Sequence, residues 1–346
     1  MESQHVCTVG DAREMAAVDD EAVDLVVTSP PYPMIELWDD AFADLNPAIG
    51  EALAAGDGDR AFDLMHAELA AVWDELARVV RPGGIVCINV GDATRSVDGH
   101  FSQYPNHARI VEHLTDRGFR PLPDVLWRKP TNKASKFMGS GMLPTNAYVT
   151  LEHEYVLVFR KGEDTRRFEP GSERRYESAY FWEERNEWFS DVWTDIAGTV
   201  QTRHVDDAVR DRSAAYPLAI PYRLVNMYSI YGDTVLDPFW GTGTTTLAAM
   251  LAGRDSIGYE LDPGMAAAFD DRLTGLPERS AAVVDRRLTA HREFVDERRD
   301  AGDEPGYEAE HYDFPVVTKQ EKEIRFYEVE DVEETASGYR VTHEPR

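Results

Sequence analysis

The sequence predicts an α/β fold built on a doubly wound, mainly parallel sheet, and two observations carry that prediction. Short Val-rich apolar runs alternate with segments of helical period over most of the 346 residues. In addition, the glycine-rich turn Asp237-Pro238-Phe239-Trp240-Gly241-Thr242-Gly243-Thr244 lies between a strand pattern and a helix pattern, the context of a βαβ ligand site.

The elements follow in order. Residues 5–8 and 23–28 are apolar strand patterns, and the second ends at Ser29-Pro30-Pro31, where proline forbids its continuation, so a loop starts at the strand's carboxyl end. Residues 61–80 place Phe62, Met65, Leu69, Val72, Trp73, Leu76 and Val79 at helical spacing, then stop at Arg81-Pro82-Gly83-Gly84. A buried strand at 85–90 comes next, then a helix at 107–117 capped by Gly118, and strands at 124–127 and 153–159. From 163 to 212 the period breaks. Tyr176, Tyr180, Phe181, Trp182, Trp188, Phe189 and Trp193 stand there among charges, which reads as an inserted, irregular element. A helix at 214–231, a strand at 233–236, a helix at 244–252 and a strand at 256–259 restore the alternation. After Pro263 come an Arg- and Glu-rich helical region and an acidic tail with a strand-like stretch at 323–329, which suggests no function.

Composition narrows the class. No apolar run is long enough to span a bilayer, and residues 1–10 lack the charged-then-apolar pattern of a secretory signal, so a cytoplasmic protein with no membrane partner is expected. Cys7 and Cys87 each lie inside an apolar strand pattern and read as buried reduced thiols; no metal is expected. The net charge of −28, from 64 acidic against 36 basic residues, opposes approach to a polyanion. Only six of those basic residues are lysines, and such Arg-rich, Lys-poor acidity resembles that of halophilic archaeal proteins. At molar salt, screening acts within about 3 Å and removes most of that repulsion, along with the usual gain from counterion release. Local charge points the other way. Residues 127–151 hold no Asp or Glu, where the chain average would place about four or five, and they carry Arg128, Lys129, Lys133 and Lys136 as candidate contacts to an anionic partner. A second acid-free run, 212–232, is apolar and helix-like and reads as a buried element.

Two motifs carry chemistry. Gly241 and Gly243 allow a sharp turn and a close backbone approach, and Glu260, at the end of the next strand, suits a ribose diol. No lysine follows the glycines, which disfavours a nucleoside triphosphate. Asp237 at a strand tip suits the ammonium of a methionine moiety, a demand that S-adenosylmethionine makes and a dinucleotide does not. The second motif is Thr28-Ser29-Pro30-Pro31-Tyr32. An exocyclic amine of a base is a poor nucleophile because its lone pair is delocalised into the ring, so an enzyme that alkylates it supplies acceptors for its N–H groups. The Ser29 hydroxyl and the Pro30 carbonyl are two such acceptors, the prolines fix the backbone, and Tyr32 offers a face on which an extruded base stacks. Taken singly, the glycine turn also suits a tight connection, and Ser-Pro-Pro-Tyr a rigid polar loop.

Together the motifs resemble the beta class of DNA amino-methyltransferases, in which (D/N/S)PP(Y/F) precedes DPFxGxGT. The resemblance spans residues 5 to 262. Gly10-Asp11-Ala12 is similar to the family segment whose acid contacts the adenine of the cofactor, Arg78 to Gly84 to its helix-to-strand turn, and His153 to Phe159 to its strand beside the base pocket. The resemblance implies a permuted, Rossmann-like S-adenosylmethionine-dependent methyltransferase fold. Its catalytic half would lie at 1–162, an inserted target-recognition element at 163–212, the cofactor half at 213–275 and an acidic extension at 276–346. It implies Ser29, Pro30, Pro31 and Tyr32 as catalytic residues, and Asp11, Asp237, Phe239, Gly241, Gly243, Thr244 and Glu260 as cofactor residues. Double-stranded DNA is the implied partner, and a companion restriction endonuclease is compatible with it. Ser in the first motif position is similar to the cytosine-N4 branch, with adenine N6 as the alternative and a non-catalytic DNA-binding protein as the other. A short palindrome such as CTAG is the target that the resemblance suggests. Cytosine-C5 chemistry is rejected, because neither Cys7 nor Cys87 follows a proline. Trp240 departs from the family by its bulk inside the glycine turn.

Overall fold

Strand β2 (Val23–Thr28) is buried at all six positions, which requires cover on both faces and places it in the middle of a sheet. The computed structural model describes residues 1–129, 138–198 and 216–346 and shows that sheet with eleven strands. The others are β1 (Glu2–Val9), β3 (Val80–Val90), β4 (Phe119–Pro121), β5 (Val125–Arg128), β6 (His153–Lys161), β7 (Val192–Trp193), β8 (Thr234–Asp237), β9 (Asp255–Glu260), β10 (Tyr327–Thr335) and β11 (Gly338–Pro345). Their order is β7-β5-β6-β3-β2-β8-β9-β1-β11-β10, with β4 paired to β6. The centre β3-β2-β8-β9-β1 is parallel, as expected, while β6 and β11 flank it antiparallel.

Alternation along β2 divides two cores. Val26 joins Val86, Ile88 and Leu236 on one face, where helix α1 (Gly58–Val79) lays down Met65, Leu69, Trp73 and Leu76. Leu25 and Val27 join Cys87 and Val156 on the other, beneath α2 (Ala219–Tyr228) and α3 (Thr244–Ala252). Parallel register brings the carboxyl ends of the central strands together, with Asp237 opposite Gly258 and Val9 opposite Glu260.

Several elements differ from expectation. Strand β3 starts at Val80, directly after α1, because Arg81-Pro82-Gly83-Gly84 forms an irregular first stretch of strand, with a register shift opposite Val23 and Leu25, instead of a separate turn. Two helices, Asp39–Leu45 and Pro47–Ala54, and a hairpin, Ala93–Val97 with His100–Tyr104, fill segments that the sequence left as connections. The tail strand begins at Tyr327, and its hairpin with β11 extends the sheet beyond β1. Helix α4 (Leu276–Asp300) packs on β10.

The described insert is fastened at both ends of the sheet: β7 pairs with the end of β5 and Gly198 lies against Lys129, while the stretch up to Trp188 is held at the opposite end. Arg166 pairs with Asp233 at 2.5 Å and with Asp24 at 3.0 Å, beside the starts of β8 and β2. Phe181 stacks on His291 at 3.9 Å, and Glu184 pairs with Arg287 at 2.5 Å, so the short helix Trp182–Trp188 is bound to α4. Phe181, Trp188 and Trp193 are buried, and Tyr180 and Phe189 pack partly buried against the core, which makes most of the insert's aromatic cluster packing material. Among the described residues, no helix is long and apolar enough to cross a membrane.

Candidate active site

The two motifs meet at the carboxyl ends of β2 and β8. The hydroxyl of Thr28, the last residue of β2, donates to Asp237 at 2.6 Å. Asp237 also accepts the Phe239 amide at 3.1 Å. Its carboxyl is pushed up to about 6, first by burial, with the Thr28 and Thr245 hydroxyls and the Phe239 amide offsetting part of the rise. The Thr245 hydroxyl, at the start of α3, donates to the Val27 carbonyl at 3.1 Å and lies 2.5 Å from the Tyr216 hydroxyl. This lashes the glycine turn to β2.

The turn itself is built from left-handed backbone at Gly241 (φ 54°) and Gly243 (φ 74°). Glu260 accepts the Gly241 amide at 2.8 Å and the Asp262 amide at 2.9 Å, and burial raises its carboxyl. Arg272 donates to the Thr242 carbonyl at 2.5 Å, to the Thr242 hydroxyl at 2.9 Å and to the Thr244 hydroxyl at 3.0 Å, closing the turn from outside. Trp240 does not occupy the ligand side. It is buried against Phe269, donates from Nε1 to Thr246 at 2.7 Å and lies over Gly258, where a Cβ would fall 2.1 Å from its ring. The bulk that departs from the family pattern is therefore absorbed beneath the turn.

At the other motif, Tyr32 is held from three sides. Its hydroxyl donates to Glu154 of β6 at 3.0 Å, accepts from Asn89 of β3 at 2.9 Å and lies 3.1 Å from the Ser29 hydroxyl. Asn89 also donates to Glu154 at 2.7 Å, and Lys129 pairs with the second Glu154 oxygen at 2.9 Å. Burial and the neighbouring Glu154 hold the Tyr32 hydroxyl well above the usual phenol range, so it keeps its proton. Because that proton goes to Glu154, the Tyr32 oxygen acts as an acceptor toward Ser29. The Ser29 hydrogen is thereby engaged, and its lone pairs are left as acceptors.

Comparison with known proteins decides the family. The DNA methylase family N6_N4_Mtase matches residues 23–270. The chain belongs to it. A type II methyltransferase of Methanothermobacter thermautotrophicus, M.MthZI, is 52% identical over 330 residues, covering 94% of this chain and 91% of its own. M.MjaI of Methanocaldococcus jannaschii is 48% identical, covering 78% of this chain and 91% of its own. Among solved structures, TTHA0409 of Thermus thermophilus, crystallised with S-adenosyl-L-methionine, gives a TM-score of 0.59 at 32% identity over 78% of this chain and 94% of that one. The cytosine-N4-specific PvuII DNA methyltransferase shares the fold at a TM-score of 0.56 and 18% identity, covering 83% of this chain and 93% of that one. The protein is thus a DNA methyltransferase of the N6/N4 family with the expected permuted methyltransferase fold.

The methylase brings most of its sequence-predicted site residues to one end of the sheet. Ser29, Pro30, Pro31 and Tyr32 follow β2, Asp237 ends β8, and Phe239, Gly241, Gly243 and Thr244 follow it. Asp11 follows β1, where its carboxylate is engaged by Arg13, which also pairs with Glu68 at 2.5 Å. Arg128 lies exposed near Glu152, and Lys129 belongs to the Tyr32 network through Glu154; Lys133 and Lys136 lie outside the described residues. Sequence reasoning missed Asn89, Glu154 and Arg272. Asn89 had a readable signal, a polar residue inside the apolar run 85–90.

The residues present fit a nucleoside bearing an ammonium group. Among the described residues neither Asp237 nor Glu260 has a cationic partner, although both are at least half-buried. A Cβ at Gly241 would meet only the Phe239 carbonyl at 3.9 Å, which leaves room for a ligand to approach the backbone at that residue. Val9 and Leu261 are exposed beside Glu260 and offer apolar faces to a purine ring.

Proposed function

We propose that the chain methylates the N4 amine of cytosine in duplex DNA and takes the methyl group from S-adenosyl-L-methionine. The observation that carries this reading is the direction of the hydrogen bonds at Ser29. With its hydrogen drawn toward Tyr32, Ser29 presents lone pairs, as the Pro30 carbonyl does, so the motif offers acceptors suited to an N–H₂ group.

Asp237 binds the ammonium of the cofactor, Glu260 its ribose and Asp11 its adenine, while Phe239, Gly241, Gly243 and Thr244 shape the pocket. S-adenosylmethionine supplies an electrophilic methyl group on a sulfonium and leaves as a neutral thioether. Ser29 and Pro30 hold the amine hydrogens, which favours a pyramidal nitrogen with its lone pair turned toward the methyl group. Tyr32, fixed at its hydroxyl and lying against Gly91, is the platform on which the extruded base stacks. The proton released from the methylated amine passes to Ser29 as Ser29 gives its own to Tyr32 and Tyr32 gives its proton to Glu154.

Ser in the first motif position supports cytosine over adenine, and a short palindrome such as CTAG is the proposed site. Type II relatives support a place beside a companion restriction endonuclease. The test is to incubate duplex DNA with labelled cofactor, digest it to nucleosides and separate them. N4-methylcytosine is expected; N6-methyladenine overturns the base assignment, and an unlabelled DNA overturns the enzymatic reading.

A further inference from the structure

The loop between β5 and β6 ends in a small turn whose apolar tip, Met142 and Leu143, is exposed among the described residues. Met138–Gly139 pairs with Ala147–Tyr148, and inside that pair the Ser140 amide donates to the Asn146 carbonyl at 2.9 Å and the Leu143 amide to the Ser140 carbonyl at 3.3 Å. The turn holds Met142 at 86% and Leu143 at 70% exposure, with Val149 at 81% behind them. Scattered exposed apolar residues are ordinary, but two consecutive ones this open at the tip of a turn, with a third six positions on, call for a partner.

The base of the turn is anchored. Tyr148 stacks on Phe101 of the hairpin Ala93–Val97 and His100–Tyr104, with ring centres 4.7 Å apart. From Val149 the chain runs directly into β6, where Glu154 holds Tyr32. Because β6 runs antiparallel to β3, and β3 parallel to β2, the loop that leads into β6 stands at the end of the sheet where β2 gives way to Ser29. The turn also lies inside the run 127–151, which has no acidic residue in a chain of net charge −28 and begins with the exposed cations Arg128 and Lys129.

We infer that Met142 and Leu143 form a wedge that enters the base stack of duplex DNA and fills the gap left by the extruded target base. This rests on the reading of the site as a DNA amino-methyltransferase. Extruding a base forfeits stacking and pairing worth a few kcal/mol, and apolar side chains such as Met, Leu and Pro offset such losses where proteins part base steps. Here Met142, Leu143 and Pro144 are consecutive. A wedge entering a polyanion needs a collar free of carboxylates, which the acid-free run supplies.

The test uses the full chain with Met142→Ser and Leu143→Ser together, on a duplex carrying the site that the unaltered protein methylates on plasmid DNA. A second duplex has an abasic position opposite the target base, so that the target is already unpaired. The single-turnover rate is expected to fall about tenfold or more on the paired duplex and to return within about twofold of wild type on the unpaired one, with cofactor affinity unchanged. Met142→Leu keeps the paired rate. An unchanged rate on the paired duplex overturns the wedge, and so does a loss that the unpaired target fails to restore, which would mark general DNA contact. A loss that follows dissociation of a dimer in sedimentation also overturns it, by making the patch an interface between copies of this chain. Absence of methylation by the unaltered protein on any DNA is the separate result that overturns the site reading itself, and the wedge with it.

Discussion

The Thr28 hydroxyl reaches across 209 residues of sequence to donate to Asp237 at 2.6 Å, so the residue before the catalytic motif and the residue opening the cofactor motif share one hydrogen bond. Because that carboxyl is buried, its pKa of about 6 lies above the ordinary 3.8, and the folded protein without ligand holds the proton more tightly than the unfolded chain does. The contribution of this group to stability is then fully present below about pH 4 and is lost as pH rises through about 6. Asp237→Asn is expected to raise the stability of the ligand-free protein at pH 8 by up to about 3 kcal/mol in denaturant titrations, while weakening cofactor binding. In the unaltered protein, cofactor affinity falls as pH drops below about 6, because a protonated Asp237 no longer offers charge to an ammonium. Affinity that stays flat from pH 8 to pH 5 removes Asp237 from that role.

Tyr32 and Glu154 set the polarity of Ser29, and removing either has a distinguishable result. Tyr32→Phe frees the Ser29 hydrogen to turn toward the pocket, where it competes with the amine's own N–H groups. Turnover is expected to fall about 10²-fold, the scale of losing one aligned transition-state hydrogen bond, with cofactor affinity preserved. Glu154→Gln keeps the volume but removes both the Lys129 ion pair and the proton's destination. The expected reading is a drop in kcat comparable to that of Tyr32→Phe; a variant with wild-type kcat sets Glu154 outside the proton path.

Much of this arrangement was legible because it is local. The Val-rich strands, the prolines that end β2 and the glycine turn before α3 each follow from a few consecutive residues, and the rules for parallel sheets then place their carboxyl ends together. What escaped depends on distant partners. Asn89 is one polar residue between Ile88 and Val90, and only the arrival of Tyr32 and Glu154 gives it meaning. The insert's attachment through Arg166 to Asp24 and Asp233 leaves no period in the sequence. The tail hairpin escaped because β10 has one fully buried residue, Val329, in a run of acids, so it reads as a solvated tail until β11 pairs it to β1.

Asn106 ties the loop that follows β2 to the end of β3. Fully buried, its amide donates to the Pro33 carbonyl at 3.1 Å and to the Gly91 carbonyl at 3.0 Å, while its oxygen accepts from His66 Nε2 at 3.0 Å. His66 is lowered to about 3 by burial, so it is neutral and donates from Nε2. Asn106→Leu strands two backbone carbonyls and a ring N–H, which is expected to cost about 2–4 kcal/mol and to lower kcat more than cofactor affinity as the loop loosens. His66 also adds acid sensitivity: the unfolded chain takes up its proton near 6.5 and the folded protein does not, so stability drains as pH falls below that value. His66→Leu should flatten the fall between pH 6.5 and 4 by about 1.4 kcal/mol per pH unit. A slope identical to the wild-type one would mean that this histidine is not buried neutral.

Gly258 makes the bulk of Trp240 tolerable, and the two residues should behave as a unit. The Trp240 ring fills the space where a Gly258 side chain would stand, packs at a tilt against Phe269 with centres 4.9 Å apart and is tied to Thr246. A methyl group at 258 would fall 2.1 Å from Trp240 Cδ1, far inside contact distance, so the ring or β9 must move. Because Trp240 sits between Phe239 and Gly241, that movement transmits to the turn that Glu260 and Arg272 otherwise hold still. Gly258→Ala is expected to cost about 1–3 kcal/mol of stability and to weaken cofactor binding about tenfold. Trp240→Leu in the same chain removes the clash and should recover part of both, giving a coupling energy of about 1 kcal/mol or more in a double-mutant cycle. Additive losses would show instead that strand β9 accommodates the methyl group by itself and that the turn's shape is independent of what lies beneath it.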